Sequence, residues 1–398
     1  MSAVTNLKSS LGKYVLAFFL PENNLSSSQK WVLGLINLSS VVVFWVMSSF
    51  LVNALVEDDS YRKPFFITYV NTGCFCFYLI PYLKYENLTI AEFLQRLHHD
   101  YNSTVHREDE EGLVHDYGSS SNLAGIDGTS ISSTVDEHDD DDDNINLYET
   151  ILLSLQFIAL WFSANLVTNA SLSYTSVASQ TILSSTSSFF TLIIGYLYSV
   201  ERINQNKIVG ILLSFAGVLI VTEIDTSSST NQNSSLMVLW GNILALAGAM
   251  IYGIYTILLK FKISIKHSQK ERNLNTHLFF GFVGIFCLVF LWPMLFILHF
   301  TGYETFELPP SRSVLTLLLV NALITFVSDF CWCKAVLLTS PLTVTVGLSM
   351  TIPLAMIGDW VFKGFFINWW YLFGASIVTL GFFIINKDEK SDFVREEI

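Results

Sequence analysis

Long apolar runs, each about twenty residues and separated by short polar stretches, recur from one end of this chain to the other. A hydrocarbon layer of about 30 Å takes one helix of about 20 apolar residues per crossing. Ten runs are present, at Trp31–Leu55, Phe65–Tyr82, Ile151–Leu172, Ser176–Tyr198, Ile208–Thr222, Leu236–Leu259, Leu278–Phe300, Val314–Leu337, Leu342–Phe362 and Trp369–Ile385. No single globular core can bury so many. Charged residues make up 14% of the chain, against about 25% in a soluble domain. The reading is an all-α membrane protein with ten transmembrane helices.

Ten is even, so both termini fall on one side. On that side stand sixteen Lys and Arg, among them Lys8, Lys84, Arg202, Lys260 and Arg395. The other side has four, Arg62, Lys63, Arg312 and Lys363, and Lys334 lies within a span. Basic loops stay in the cytosol, so both termini are predicted to be cytosolic. Residues 1–30 and 387–398 read as cytosolic tails. The apolar run Tyr14–Leu20 is too short to span, and no small-residue cleavage site follows it.

The long connection 85–146 is rich in Ser, Asp, Glu and Gly and carries the run DEHDDDDD at 136–143. Such a segment buries too little apolar surface to fold alone, so it is predicted to be a disordered cytosolic loop. Much of the net charge of -13 sits there. A solvated acidic run names no partner, and nucleic acid is excluded.

The chain repeats itself. TSVASQTILSS from Thr175 matches TSPLTVTVGLS from Thr339 at an offset of 164 residues. The same offset pairs Thr181 with Thr345, Ser185 with Ser349, Gly210 with Gly374, Gly217 with Gly381, and Asn165 with Asp329. Gly34 and Trp45 align with Gly241 and Tyr252, and Pro81 and Pro293 are read as ending the second and seventh helices alike. Residues 31–222 and 236–386 are therefore two five-helix repeats. An odd helix count inverts the second copy in the membrane, a recurring plan among carriers.

Three segments carry a resemblance: SYRKPFFITYVNTGCFCFYL, ANLVTNASLSYTSVASQTILSSTSSFF and SDFCWCKAVLLTSPLTVTVGLSMTIPLAM. They resemble the drug/metabolite transporter superfamily (EamA-like), and within it solute carrier family 35 subfamily F with its fungal vacuolar and thiamine-repressible members. The resemblance covers nearly all ten helices and implies the two-repeat fold, a small-molecule substrate and an internal membrane. A vacuolar membrane is favoured over a Golgi or mitochondrial one.

Asp329 is the leading site candidate, because a carboxylate inside a span costs about 2.5–3.5 kcal/mol and must face a cavity or a partner. It is suited to binding a cationic or hydroxyl group, or to carrying a proton; a structural hydrogen bond is the plainer reading. Lys334, five residues on, is either a snorkelling cation or a contact to an anionic substrate. Asn165 takes the pseudo-symmetric place. Gln180, Thr181 and Ser185 on the fourth helix and Thr345 and Ser349 on the ninth form polar faces, which serve close helix packing or line a path. Trp45 and Tyr252 are candidate cavity aromatics.

No enzyme constellation is present. The histidines lie in loops or at span ends, and the paired cysteines Cys74/Cys76 and Cys331/Cys333 sit about 200° apart on a helix, so neither pair chelates from one face. No cofactor or metal is expected. The expected partners are a small-molecule substrate and the lipid bilayer, with a homodimer left open. A secondary carrier is the leading reading; the alternatives are a Golgi nucleotide-sugar antiporter and a non-transporting membrane sensor or adaptor.

Overall fold

The computed structural model describes residues 26–57, 61, 63–85, 91–102, 145–171, 174–175, 177–226, 235–264, 272–363 and 369–396. Its elements are helices: α1 (Ser27–Glu57), α2 (Pro64–Gly73), α3 (Leu79–Tyr85), α4 (91–102), α5 (Leu147–Ser171), α6 (Val177–Ser185), α7 (Ser187–Leu197), α8 (Gln205–Thr226), α9 (Ser235–Ile263), α10 (Thr276–Phe290), α11 (Trp292–Thr301), α12 (Arg312–Leu338), α13 (Pro341–Gly347), α14 (Thr351–Lys363) and α15 (Trp369–Glu396). Tight 3₁₀ turns at Cys74–Tyr78 and Leu348–Met350 join α2 to α3 and α13 to α14. Among the described residues eight helices are long and apolar enough to cross a bilayer, and the pair α10–α11, bent by 40°, makes a ninth.

Four expected helices are interrupted, each for a local reason. A proline lacks the amide that would bond residue i−4, and its ring crowds that carbonyl. Pro81 therefore disturbs Phe77, inside the first 3₁₀ turn, and Pro353 disturbs Ser349, inside the second. Pro293 stands just past the bend at Leu291. Pro81 and Pro293 do not end their helices as the sequence reading had it; α3 runs on to Tyr85 and α11 to Thr301. Between α6 and α7 no proline is present. There Ser185 Oγ donates to the Ile182 carbonyl at 2.7 Å and Thr186 Oγ1 to the Leu183 carbonyl at 2.5 Å. Hydroxyls that capture carbonyls of the preceding turn compete with the helix ladder.

Glycines set the closest crossings. α8 and α15 run antiparallel: a Cβ on Gly210 would lie 3.0 Å from the Gly381 carbonyl oxygen, and one on Gly217 would lie 2.8 Å from that of Gly374. α1 packs on α12 and α9 on α5. In the same way Gly34 abuts Thr339, and Gly241 abuts Thr175. Small residues let helix backbones approach where lipid supplies no hydrophobic drive for association.

Trp31, near the start of α1, donates Nε1–H to Asn386 Oδ1 at 3.0 Å and packs against Phe393, both on α15. The two ends of the described chain therefore share one face. On the opposite face Glu304 receives the first free amides of α2: Phe65 N–H and Phe66 N–H each donate to its carboxylate at 2.9 Å. Tyr61 donates to the Glu307 carbonyl at 2.5 Å, and the Lys63 ammonium binds Thr305 and Glu307.

Two regions differ from expectation. Residues 91–102, read as part of a disordered loop, form a helix, with Phe93 against Phe282, Tyr101 against Tyr148, and Asp100 accepting the Leu147 amide at 3.1 Å. The overlooked signal is Phe93, Leu97 and Tyr101 at four-residue spacing, one face of a helix. The acidic run 136–143 lies outside the described residues. The last helix continues to Glu396, well past the expected end at Ile385, because its further turns carry buried contacts through Glu389 and Phe393.

Candidate functional site

α12 is buried on the side that holds Asn321, Ser328 and Asp329. Asp329 is 7% exposed, and its carboxylate lies beside the side chains of Trp45 on α1 and its neighbour Ser328. A shell of aromatic rings surrounds this point. Tyr78, Tyr252 and Tyr255 lie within reach of the Asp329 charge. Trp332 Nε1–H donates to the Tyr252 hydroxyl at 3.0 Å, and Tyr78 stacks flat on Phe326 with centroids 3.8 Å apart. Thus α1, the turn after α2, α9 and α12 all contribute to one acidic, ring-lined centre. Rings present negative faces, so this is an environment that favours a cation.

Of the residues singled out in the sequence, Trp45, Tyr252 and Asp329 come together here. Lys334 is half-buried farther along α12, close enough for its charge to bear on His277, and His277 packs on Phe330 at 4.8 Å and Tyr78 at 5.6 Å. The imidazole Nδ1 of His277 is buried and makes no protein hydrogen bond. Asn165 is half-buried and turns its amide to the Trp161 carbonyl of its own helix at 2.8 Å.

The polar faces of the fourth and ninth runs bond mostly within themselves. Gln180 donates to Ser184 Oγ at 2.9 Å, Ser185 to the Ile182 carbonyl, and Thr345 to the Pro341 carbonyl, with Thr191 of α7 at 3.3 Å. Thr181 and Ser349 are half-buried on the same segments. Sequence reasoning missed Tyr78, Tyr255, Trp332 and His277. Aromatic residues are too frequent here, at 14% of the chain, for spacing to distinguish rings at the centre from rings facing lipid.

Comparison with known proteins bears on what this centre serves. Residues 137–223 match the EamA-like transporter family. The chain is 49% identical to an uncharacterized vacuolar membrane protein of Saccharomyces cerevisiae over 95% of both chains. It is 40% identical to solute carrier family 35 member F5 of Macaca fascicularis over 58% of this chain and 52% of that one. This chain belongs to the EamA-like drug/metabolite transporter superfamily and is similar to its solute carrier 35 subfamily F members. A third relative of this transporter, 40% identical over 90% of this chain and 93% of its own, is the thiamine-repressible mitochondrial transport protein of Saccharomyces cerevisiae. The function of the group is transport, not catalysis, so the ring-lined carboxylate is part of a multi-pass membrane transporter rather than an enzyme site.

Proposed function

We propose that this transporter is a secondary carrier that moves a small organic solute across an internal membrane by alternating access, with Asp329 at its centre. In this reading ten helices form two inverted repeats, α1–α8 and α9–α15, with the interrupted segments α2–α3, α6–α7, α10–α11 and α13–α14 each counting as one helix and the short α4 standing outside the count. The observation that carries it is an exchange of contacts. The sequence alignment maps Gly34 to Gly241 and Thr339 to Thr175, and the Gly34–Thr339 contact has its counterpart in Gly241–Thr175. It likewise maps the Gly210–Gly381 contact onto Gly374–Gly217. Contacts that interchange in this way are what a two-fold axis relating the halves requires. The interruptions follow the same rule: Ser185 borders one break and Ser349, its counterpart, lies in the other. Broken helices at matching places in two repeats are where carriers bind substrate.

Asp329 within its shell of rings supports a substrate with a cationic or hydroxyl group, or a proton bound in its stead. A nucleotide diphosphate would want cations at the centre, and the charged group there is an acid. Both termini are placed in the cytosol by the distribution of basic residues. The vacuolar membrane is favoured by the name of the 49% identical relative.

The test is uptake by purified protein in proteoliposomes over a panel of organic cations, neutral polyols and nucleotide sugars. Asp329→Asn keeps the shape and removes the charge. It is expected to abolish uptake of the transported solute while leaving the protein folded and correctly targeted; wild-type uptake by this variant refutes the role of Asp329.

A further inference from the structure

Away from the centre, on the face that holds both chain ends, four charged side chains crowd together. Lys207 of α8 lies 2.5 Å from Glu389 Oε1, 3.3 Å from Asp392 Oδ2 and 3.7 Å from Glu201 Oε2. The side chains of Lys207, Glu201 and Glu389 are 2%, 2% and 5% exposed, while Asp392 is 24% exposed and keeps contact with solvent. The buried members are thus two carboxylates and one ammonium, one negative charge in excess. A buried charge without a counter-charge is expensive and is relieved by taking up a proton.

The geometry points the same way: both carboxylates close on the one Lys207 ammonium, Glu389 at 2.5 Å and Glu201 at 3.7 Å, so a single cation faces two buried acids that repel each other. Burial, and then the charge of Glu389, also raise the affinity of Glu201 for a proton above the usual carboxylate range.

The fold positions Glu201 for this. Ser199, at φ 59°, turns the chain back, and Val200 N–H and Glu201 N–H both donate to the Gly195 carbonyl at 2.8 and 3.0 Å. A Cβ on Gly195 would lie 2.6 Å from Glu201 Cγ, so glycine makes room for the side chain. Glu201 Oε1 accepts the Leu342 amide at the start of α13 at 3.1 Å. Glu201 of the first repeat therefore touches α13 of the second directly and meets α15 through Lys207.

We propose that Glu201, Lys207 and Glu389 form a proton-binding site, and that its bound proton latches the two repeats together on the termini-bearing face. The latching role rests on the two-repeat carrier reading; proton binding does not. With the proton lost, two buried carboxylates confront each other across one ammonium, and the face loosens. The site is filled at lower pH, so the latch holds there and weakens as pH on that face rises toward the raised value of Glu201.

Among the described residues the ion pairs of Glu201 and Glu389 run to Lys207. Asp388 turns to Asn204 and Asn206. Lys260 binds the Leu337 and Thr339 carbonyls and lies 5.9 Å over the Phe393 ring. Arg202, Lys387 and Lys390 are exposed. Ser340 bonds Thr343, and Trp31 bonds Asn386.

Two readouts on the full chain in lipid nanodiscs test this. The first is the infrared C=O band of a protonated carboxyl group, compared among wild type, Glu201→Gln and Glu389→Gln. The second is hydrogen exchange over residues 341–347, corrected for intrinsic rate, from mildly acidic to mildly alkaline buffer. Wild type should show a band that each Gln variant lacks. Its protection over 341–347 should fall by up to tenfold per pH unit as pH climbs from the ordinary carboxylate range toward the raised value of Glu201, and level off above it, as one-proton linkage requires. Glu201→Gln, which accepts from Leu342 without a titrating proton, should stay protected throughout. A band unchanged in both variants, or wild-type protection that does not vary with pH, overturns the proposal. A chain that moves none of the solutes yet keeps the band and the pH-dependent protection supports the site and removes the carrier reading alone.

Discussion

Gly217→Ala probes the antiparallel crossing of α8 and α15 directly. A methyl group there would sit 2.7 Å from the Val378 amide nitrogen and 2.8 Å from the Gly374 oxygen. Ordinary contact begins near 3.4 Å, so the helices must part by roughly 0.7 Å locally. The crowded atoms are backbone and cannot swing aside. Overpacking of this kind costs about 1–3 kcal/mol, and the better helix propensity of alanine returns about 1 kcal/mol. A net loss centred on about 1 kcal/mol is therefore expected, roughly fivefold in the unfolding equilibrium at 1.4 kcal/mol per factor of ten. The counterpart substitution Gly381→Ala meets the Gly210 oxygen at 2.6 Å and the Ser214 nitrogen at 2.7 Å, and should lose a similar amount. Thermal unfolding in a mild detergent, followed by release of the folded fraction from micelles, measures both. A melting temperature at or above wild type for Gly217→Ala would refute the close crossing, and unequal losses would count against the two-fold relation.

Other perturbations test other parts. Ser185→Ala combined with Thr186→Val removes the two hydroxyls that capture carbonyls at the α6–α7 break; amide exchange at Phe189 and Phe190 should slow as the helix closes up, and unchanged exchange would show that the break has another cause. Tyr61, pushed from 10.0 up to about 12 by burial and by the charges of Glu304 and Glu307, contributes stability that is whole below pH 10 and is lost as pH rises toward 12. Tyr61→Phe should abolish that alkaline decline in unfolding curves, and a decline that persists would place it elsewhere. Tags at either end or within 103–144 should be digested by protease added to sealed vesicles whose cytosolic face is outward, and protection of any of them would overturn the orientation.

The apolar runs were legible because they are written in residue type and spacing. The lipid requirement for about twenty apolar residues leaves little freedom. Asp329 was legible because a carboxylate in a span is costly wherever it points. The breaks were not. Pro81 and Pro293 read as helix ends, since a sequence shows the lost amide but not the turn that absorbs it. The charged cluster around Lys207 was not legible either, because its partners Glu389 and Asp392 lie nearly two hundred residues away on a helix that was expected to have stopped. The centre around Asp329 drew its rings from four parts of the chain, and only their packing selects Tyr78 and Trp332 from many equivalent aromatics.

The short helix 91–102 bears on how this transporter can be engineered. Asp100 holds the Leu147 amide at 3.1 Å and Tyr101 lies 5.1 Å from Tyr148, so the chain departs at 102 and returns at 145 beside its own point of exit. Replacing residues 103–144 with a few Gly and Ser residues, each reaching about 3.3–3.6 Å, closes that gap without pulling on α5. A fluorescent domain inserted at the same point would be carried on two neighbouring anchors. The acidic segment can thus be exchanged as a cassette, and whether transport survives its removal separates a carrier from a sensor.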